Sequence, residues 1–100
     1  MTHAELLHHN GVDTPTVYLA IKNIVFDVST SDFYKPDGPY HVLAGHDASV
    51  ALAKMTKEPE FMDHTKYKWE ECLDGDEKIV LDNWFNKLSE KYPQIAELSQ

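Results

Sequence analysis

Ser31–Met55, SDFYKPDGPYHVLAGHDASVALAKM, is the stretch on which the reading of this chain turns. Its first half is dense in Tyr, Pro and Gly, with Pro36, Gly38 and Pro39 between Tyr34 and Tyr40. Proline fixes φ and glycine frees it, so the run predicts a loop of defined shape rather than a helix or strand. The second half changes character at Asp47, a good helix N-cap. Ala48, Ala51, Leu52 and Met55 fall at i, i+3, i+4 and i+7, the spacing of one helix face. Alanine on that face predicts close packing. Such a loop can hold phenols at a ligand site, and it can equally be an ordinary surface loop.

Toward the N-terminus, Thr16–Ile21 and Ile24–Val28 are rich in Val, Ile, Tyr and Phe and predict two short strands. Lys22-Asn23 between them suits a tight hairpin turn, because Asn tolerates positive φ. Asp27 interrupts the second strand, either as an acceptor for nearby backbone N–H groups or as an outward-facing residue. Thr2-His3-Ala4-Glu5 matches a capping box, so a short helix with Leu6 and Leu7 is expected, ending near Asn10-Gly11. His3, His8 and His9 are read as surface residues. Adjacent His8 and His9 point about 100° apart on a helix and cannot both meet one metal.

Toward the C-terminus, Pro59 punctuates Thr56–Glu60. Phe61–Leu73 shows no clear periodicity, with Phe61, Tyr67 and Trp69 as partial anchors. Asp74 can cap a long helix whose acidic first turn complements its dipole. Leu81, Trp84, Leu88 and Tyr92 form a core-facing stripe, with Val80 on the same side, and Pro93 ends the helix. A helix, a hairpin, a loop and then helices make an α+β fold, expected as one domain over residues 1–100.

The formal net charge of −8 argues against a nucleic-acid binder, which needs a cationic face to displace counterions. No apolar run is long enough to cross a membrane, and the first residues are too polar for a secretory leader. The single cysteine, Cys72, allows no internal disulfide, and its acidic neighbours Glu70, Glu71 and Asp74 raise a thiol pKa rather than lower it. There is no phosphate loop, Cys-x-x-Cys, His-Glu-x-x-His or nucleophile elbow, so the chain is read as a non-enzyme. His41, His46 and His64 match no standard zinc spacing.

The tyrosines carry more chemistry. A phenol is neutral in water at pH 7, but a ferric ion stabilises the phenolate, and Tyr is a known haem ligand. A second phenol nearby can hydrogen-bond to that phenolate and temper its donor strength. The alternative is that Tyr34 and Tyr40 are half-buried loop anchors whose hydroxyls find backbone partners.

YLAIKNIVFDVS, DFYKPDGPYHVLAGHDAS, ALAKM, DNW and KYP together resemble the membrane-associated progesterone receptor family of cytochrome b5-like haem/steroid-binding domains. The likeness runs from Thr2 to Tyr92-Pro93. It implies a cytochrome b5-like fold, a small sheet with several short helices. The His-Pro-Gly-Gly loop of cytochrome b5 proper is missing: Pro36-Asp37-Gly38-Pro39-Tyr40 stands in its place. The resemblance implies haem b held by a tyrosinate at Tyr40, with Tyr34 as its hydrogen-bonding partner and Lys91 and Tyr92 at the haem edge. Asn23 stands where the family has a hairpin Gly, Lys35 replaces a Gly, and His46 replaces an Arg or Lys. The family's N-terminal membrane anchor is absent, which implies a soluble, cytoplasmic form, peripheral at the endoplasmic reticulum if it meets a membrane.

A phenolate favours Fe(III), so the expected role is haem handling or modulation of cytochrome P450 enzymes and sterol metabolism rather than electron shuttling. An exposed haem face would also allow a haem-stacked homodimer. Three rivals stay open: a haem-independent binder of steroids or other small apolar ligands, a structural interaction module in which the tyrosines merely pack, and a b5-type electron carrier using His41.

Overall fold

The computed structural model describes residues 1–99. Its centre is the expected hairpin, β1 (Tyr18–Ile21) and β2 (Ile24–Asp27), paired antiparallel from Tyr18↔Asp27 to Ile21↔Ile24. Lys22 and Asn23 both take positive φ, +53° and +66°, as a two-residue turn matched to strand twist requires. The strands are shorter than Thr16–Ile21 and Ile24–Val28, although Val28 still donates its N–H to Val17 O at 2.9 Å. Asp27 is an acceptor: its carboxylate takes the Ser29 N–H at 3.0 Å and the Ser29 hydroxyl at 2.6 Å.

The hairpin is buried on both faces, which explains its near-continuous apolar run. Leu19, Ile21 and Phe26 point into the main core, while Ala20 and Val25 pack with Leu6 and Leu98 on the other side. Leu6 comes from α1 (His3–Leu7), which has the expected capping box between Thr2 and Glu5. This helix stops at Leu7, short of Asn10-Gly11. The chain turns there because Asn10 Oδ1 accepts the N–H groups of Val12 and Asp13, each at 2.9 Å. His8 is exposed, but His3 and His9 are half-buried, contrary to expectation. His9 stacks on Tyr18 at 4.2 Å between centroids and bonds the Thr16 hydroxyl at 2.6 Å.

β3 (Gln94–Glu97) pairs antiparallel with β2, giving the order β1-β2-β3. Its burial pattern is almost wholly exposed, so it carries no alternating apolar signal, and the sequence reading did not include it. Backbone pairing, with an irregularity between Val25 and Phe26, holds it in place.

The main core is closed by α2 (Ser49–Ala53), α3 (Trp69–Cys72) and α4 (Gly75–Lys91). Every residue of α2 is buried, as its small side chains predict, but the helix is shorter than Ala48–Met55. Ala48 is its N-cap, and Asp47 instead takes the Ser49 N–H at 3.1 Å one position outside. Met55 leaves the predicted face: its φ is +56° and its side chain is 81% exposed. Ser49 is wholly buried, its hydroxyl accepting the Lys22 N–H at 2.9 Å, which ties α2 to the hairpin turn. Gly45 precedes this segment at φ +78°, and an added Cβ would lie 3.0 Å from Leu7 O. α4 has the capping box between Asp74 and Glu77, buries Leu81 and Leu88, and ends where Tyr92 turns extended before Pro93. Phe61, Tyr67 and Trp69 pack half-buried against the core. Among the described residues, no helix is long and apolar enough to cross a membrane.

Candidate functional site

The Tyr-Pro-Gly stretch is a loop closed on itself. Tyr40 N–H donates to Phe33 O at 2.8 Å, and Gly38 N–H to Lys35 O at 2.7 Å. The crossing is so close that a Cβ on Gly38 would collide with the Phe33 and Asp32 carbonyl groups. Only glycine permits this approach. It brings Tyr34 and Tyr40, separated in sequence, to 6.1 Å between ring centroids, with Phe33 also 6.1 Å from Tyr40.

The loop faces the C-terminal half of α4. Trp84, Leu88 and Tyr92 recur at four-residue spacing, and Lys87 and Lys91 lie beside them at the same interval, so one stripe of the helix presents aromatic rings and ammoniums together. A groove with two lobes runs between loop and helix. One lobe, about 240 Å³, is lined by Tyr40, Leu52, Met55, Thr56, Lys57 and Trp84. The other, about 260 Å³, shares Tyr40 and Trp84 and adds Phe33, Tyr34, Lys87, Leu88, Lys91 and Tyr92. Each lobe alone falls below the ~300–1,000 Å³ of small-molecule pockets, but a ligand spanning both would have room of that order.

All four sequence-derived site residues, Tyr34, Tyr40, Lys91 and Tyr92, therefore line one lobe, and Tyr40 lines both. Tyr34 is buried and Tyr40 half-buried. Burial pushes the Tyr34 phenol up to about 12, and the nearby phenols of Tyr92 and Tyr40 add to the shift. Tyr34 is thus a neutral donor at physiological pH. Lys57 reaches over Tyr40, its Nζ 5.3 Å from the ring centroid and donating to Pro39 O at 3.1 Å.

Sequence reasoning missed Phe33, Lys57, Trp84 and Lys87 as groove residues. Helical spacing puts Trp84 on a core-facing stripe, yet it is only half-buried and lines both lobes. The signal available was a Trp with lysines three and seven positions on. Lys57 follows the end of α2 and carries no comparable pattern.

His41 lies outside the groove lining. Its Nε2 is 2.9 Å from Asn10 O, holding the loop base to the N-terminal turn. His46 and His64 line a different cavity, with His3 and Asp47. Among the described residues, no group of three His, Cys, Asp or Glu side chains is placed to hold a metal ion. The Cys72 thiol is pushed up chiefly by burial and only secondarily by Glu77 and Glu71, with Lys54 opposing. Desolvation therefore outweighs the acidic field inferred from its neighbours.

Comparison with known proteins agrees with this architecture. Residues 2–98 match the model of the "Cytochrome b5-like Heme/Steroid binding domain" family. The chain is 40% identical over 101 residues to the "Cytochrome P450 regulator dap1" of Schizosaccharomyces pombe, covering 97% of this chain and 61% of that protein. It is 33% identical over 95 residues to "Membrane-associated progesterone receptor component 2" of Rattus norvegicus, covering 94% of this chain and 43% of that one. The chain thus spans less than two thirds of the length of both relatives. A solved Arabidopsis thaliana protein described as having a cytochrome b5 like fold superposes with a TM-score of 0.87 at 37% identity, covering 100% of this chain and 90% of that one. The chain belongs to the cytochrome b5-like haem/steroid-binding domain family, with membrane-associated progesterone receptor components among its relatives.

Proposed function

We propose that the groove holds ferric haem b through the phenolate of Tyr40, with Tyr34 as the neutral hydrogen-bond donor beside it and Lys91 and Tyr92 at the edge. One observation carries the reading: Tyr40 is the phenol common to both lobes of an aromatic and aliphatic groove, with the buried Tyr34 ring 6.1 Å away. The donor set suits a ferric ion, which lowers a phenol's pKa on binding as cations do for their ligands. Tyr34 resists ionisation, so it can donate to an anionic oxygen and not compete for the metal. Haem supplies a Lewis-acidic iron in a planar apolar frame; the chain supplies shape, exclusion of water and charge. His41 is already engaged at Asn10 O, which favours Tyr40 over a histidine-ligated electron carrier.

By analogy with its relatives, the role is binding and regulation rather than catalysis, directed at cytochrome P450 enzymes or haem handling. A cytoplasmic protein peripheral to the endoplasmic reticulum, with a haem-stacked dimer through the open face, extends the same reading. A haem-independent steroid site is the second reading. It is favoured by the aliphatic lobe at Leu52 and Met55, which suits a ring system with no metal.

Hemin titration separates them. Wild-type protein is expected to give a saturable Soret change with a phenolate-to-iron charge-transfer band. Tyr40→Phe is expected to lose that band and at least tenfold in affinity, and His41→Ala to keep both. An unchanged band in Tyr40→Phe sinks the tyrosinate model. Saturable steroid binding with no hemin spectrum selects the second reading.

A further inference from the structure

We infer that the groove selects amphiphilic anions over neutral ligands of the same shape, and that Lys57 and Lys87 set this preference. The inference rests on the groove being the ligand site proposed above, but not on coordination of iron. The chain carries 17 acidic and 9 basic residues, so a lining drawn at its own composition would hold more carboxylates than ammoniums. The two lobes reverse that balance: among the described residues they contain Lys57, Lys87 and Lys91 and no Asp or Glu. A low-dielectric wall bearing one sign of charge concentrates ligands of the opposite sign.

The ammoniums are also placed to act. Lys57 Nζ is held over Tyr40 and on Pro39 O, and Lys87 Nζ lies 5.1 Å from the Trp84 centroid. Among the described residues, neither has a carboxylate within ion-pair distance, whereas Lys22, Lys35 and Lys54 are each paired. Tyr40 and Trp84 are walls common to both lobes, so the two cations sit on the surfaces a flat ligand would touch. A ring system against Leu52, Leu88 and Trp84 with a sulfate or carboxylate at its rim would satisfy them. A neutral sterol of the same shape would leave both ammoniums without an anion.

The test uses iron-free ligands: a steroid sulfate against its neutral parent alcohol, and protoporphyrin IX against its dimethyl ester. Binding is followed by tryptophan quenching and ligand fluorescence at low and high salt. Each anion is expected to bind at least tenfold tighter than its neutral partner, about 1.4 kcal/mol, with the advantage shrinking as salt rises. Lys57→Gln with Lys87→Gln should reduce the advantage below threefold. The Lys57→Arg, Lys87→Arg pair should keep it, which controls for folding. Equal binding of anion and neutral partner overturns the inference, as does an advantage that survives the double Gln variant. Failure of all four ligands to bind removes the groove as a site. The four ligands carry no iron, so loss of the tyrosinate model alone registers in the hemin titration and not here.

Discussion

Two cavities of this molecule can be set side by side. The tyrosine groove is built from a Gly-Pro loop and the end of α4, and among the described residues its lining holds three ammoniums and no carboxylate. The histidine cavity, about 390 Å³, is larger than either lobe and richer in titratable groups, with His3, His46, His64 and Asp47 around it. Two of its groups engage each other and a third engages the backbone. His3 and His64 stack at 3.6 Å between centroids and 11° between planes, and Asp47 accepts the Ser49 N–H; His3 Nε2 is buried without a partner. Around the groove, among the described residues, Lys57 and Lys87 meet only ring faces and a carbonyl. Volume and functional-group count favour the histidine cavity, whereas the unpaired ammoniums favour the groove. What matters is whether the charged groups still have interactions to make.

Two glycines allow each cavity to be broken separately. Gly38→Ala should have the larger effect, because its Cβ meets backbone carbonyls that cannot rotate away. It is expected to cost about 3 kcal/mol, the upper range for overpacking. Hemin affinity should fall at least tenfold as the loop opens and Tyr40 moves. Denaturant unfolding and hemin titration read the two effects, and wild-type values in both would show that the loop does not depend on this crossing. Gly45→Ala strikes the histidine cavity. Its φ of +78° imposes about 1–2 kcal/mol on an L-residue, with the Leu7 carbonyl adding contact strain. About 2 kcal/mol of stability should be lost while the hemin spectrum stays as in wild type. Equal damage to hemin binding would mean that the cavities are not independent.

The same contrast explains what the sequence disclosed. The hairpin was legible because Val, Ile and Phe bounded an Asn turn, and α4 because Asp74 and Glu77 cap a periodic stripe. β3 was not, because it is an exposed edge strand held by main-chain bonds that form whatever the side chains are. Tyr34, Tyr40, Lys91 and Tyr92 came from a family motif, and they do line one groove. Lys57 and Trp84 did not, because their place depends on a loop and a helix meeting in space. Met55 failed the helical pattern for a related reason: the chain turns to positive φ there, which periodicity cannot register. His3 was taken for a surface residue because its partner His64 is remote in sequence.

The smallest expected effect concerns that stack and tests whether the histidine cavity is a device of the fold. Burial lowers the His3 pKa, the facing His64 lowers it further, and Asp47 opposes. Burial also lowers that of His46. A base whose folded pKa lies below its unfolded value of about 6.5 contributes stability that is complete above that value and is lost as pH falls through the folded pKa. Asp47 acts in the opposite sense, since burial raises its pKa and its charged form is the disfavoured one at neutral pH. On acidification the two histidines thus lower the stability of the cavity, and Asp47 opposes them. His3→Gln removes one histidine contribution and leaves the groove untouched. Melting temperatures followed from pH 7.5 down to pH 5 should show a shallower decline in the variant, with hemin binding at pH 7.5 unchanged. Parallel declines would mean that His3 does not link protonation to folding, and that acid sensitivity arises from His46 or elsewhere in the chain.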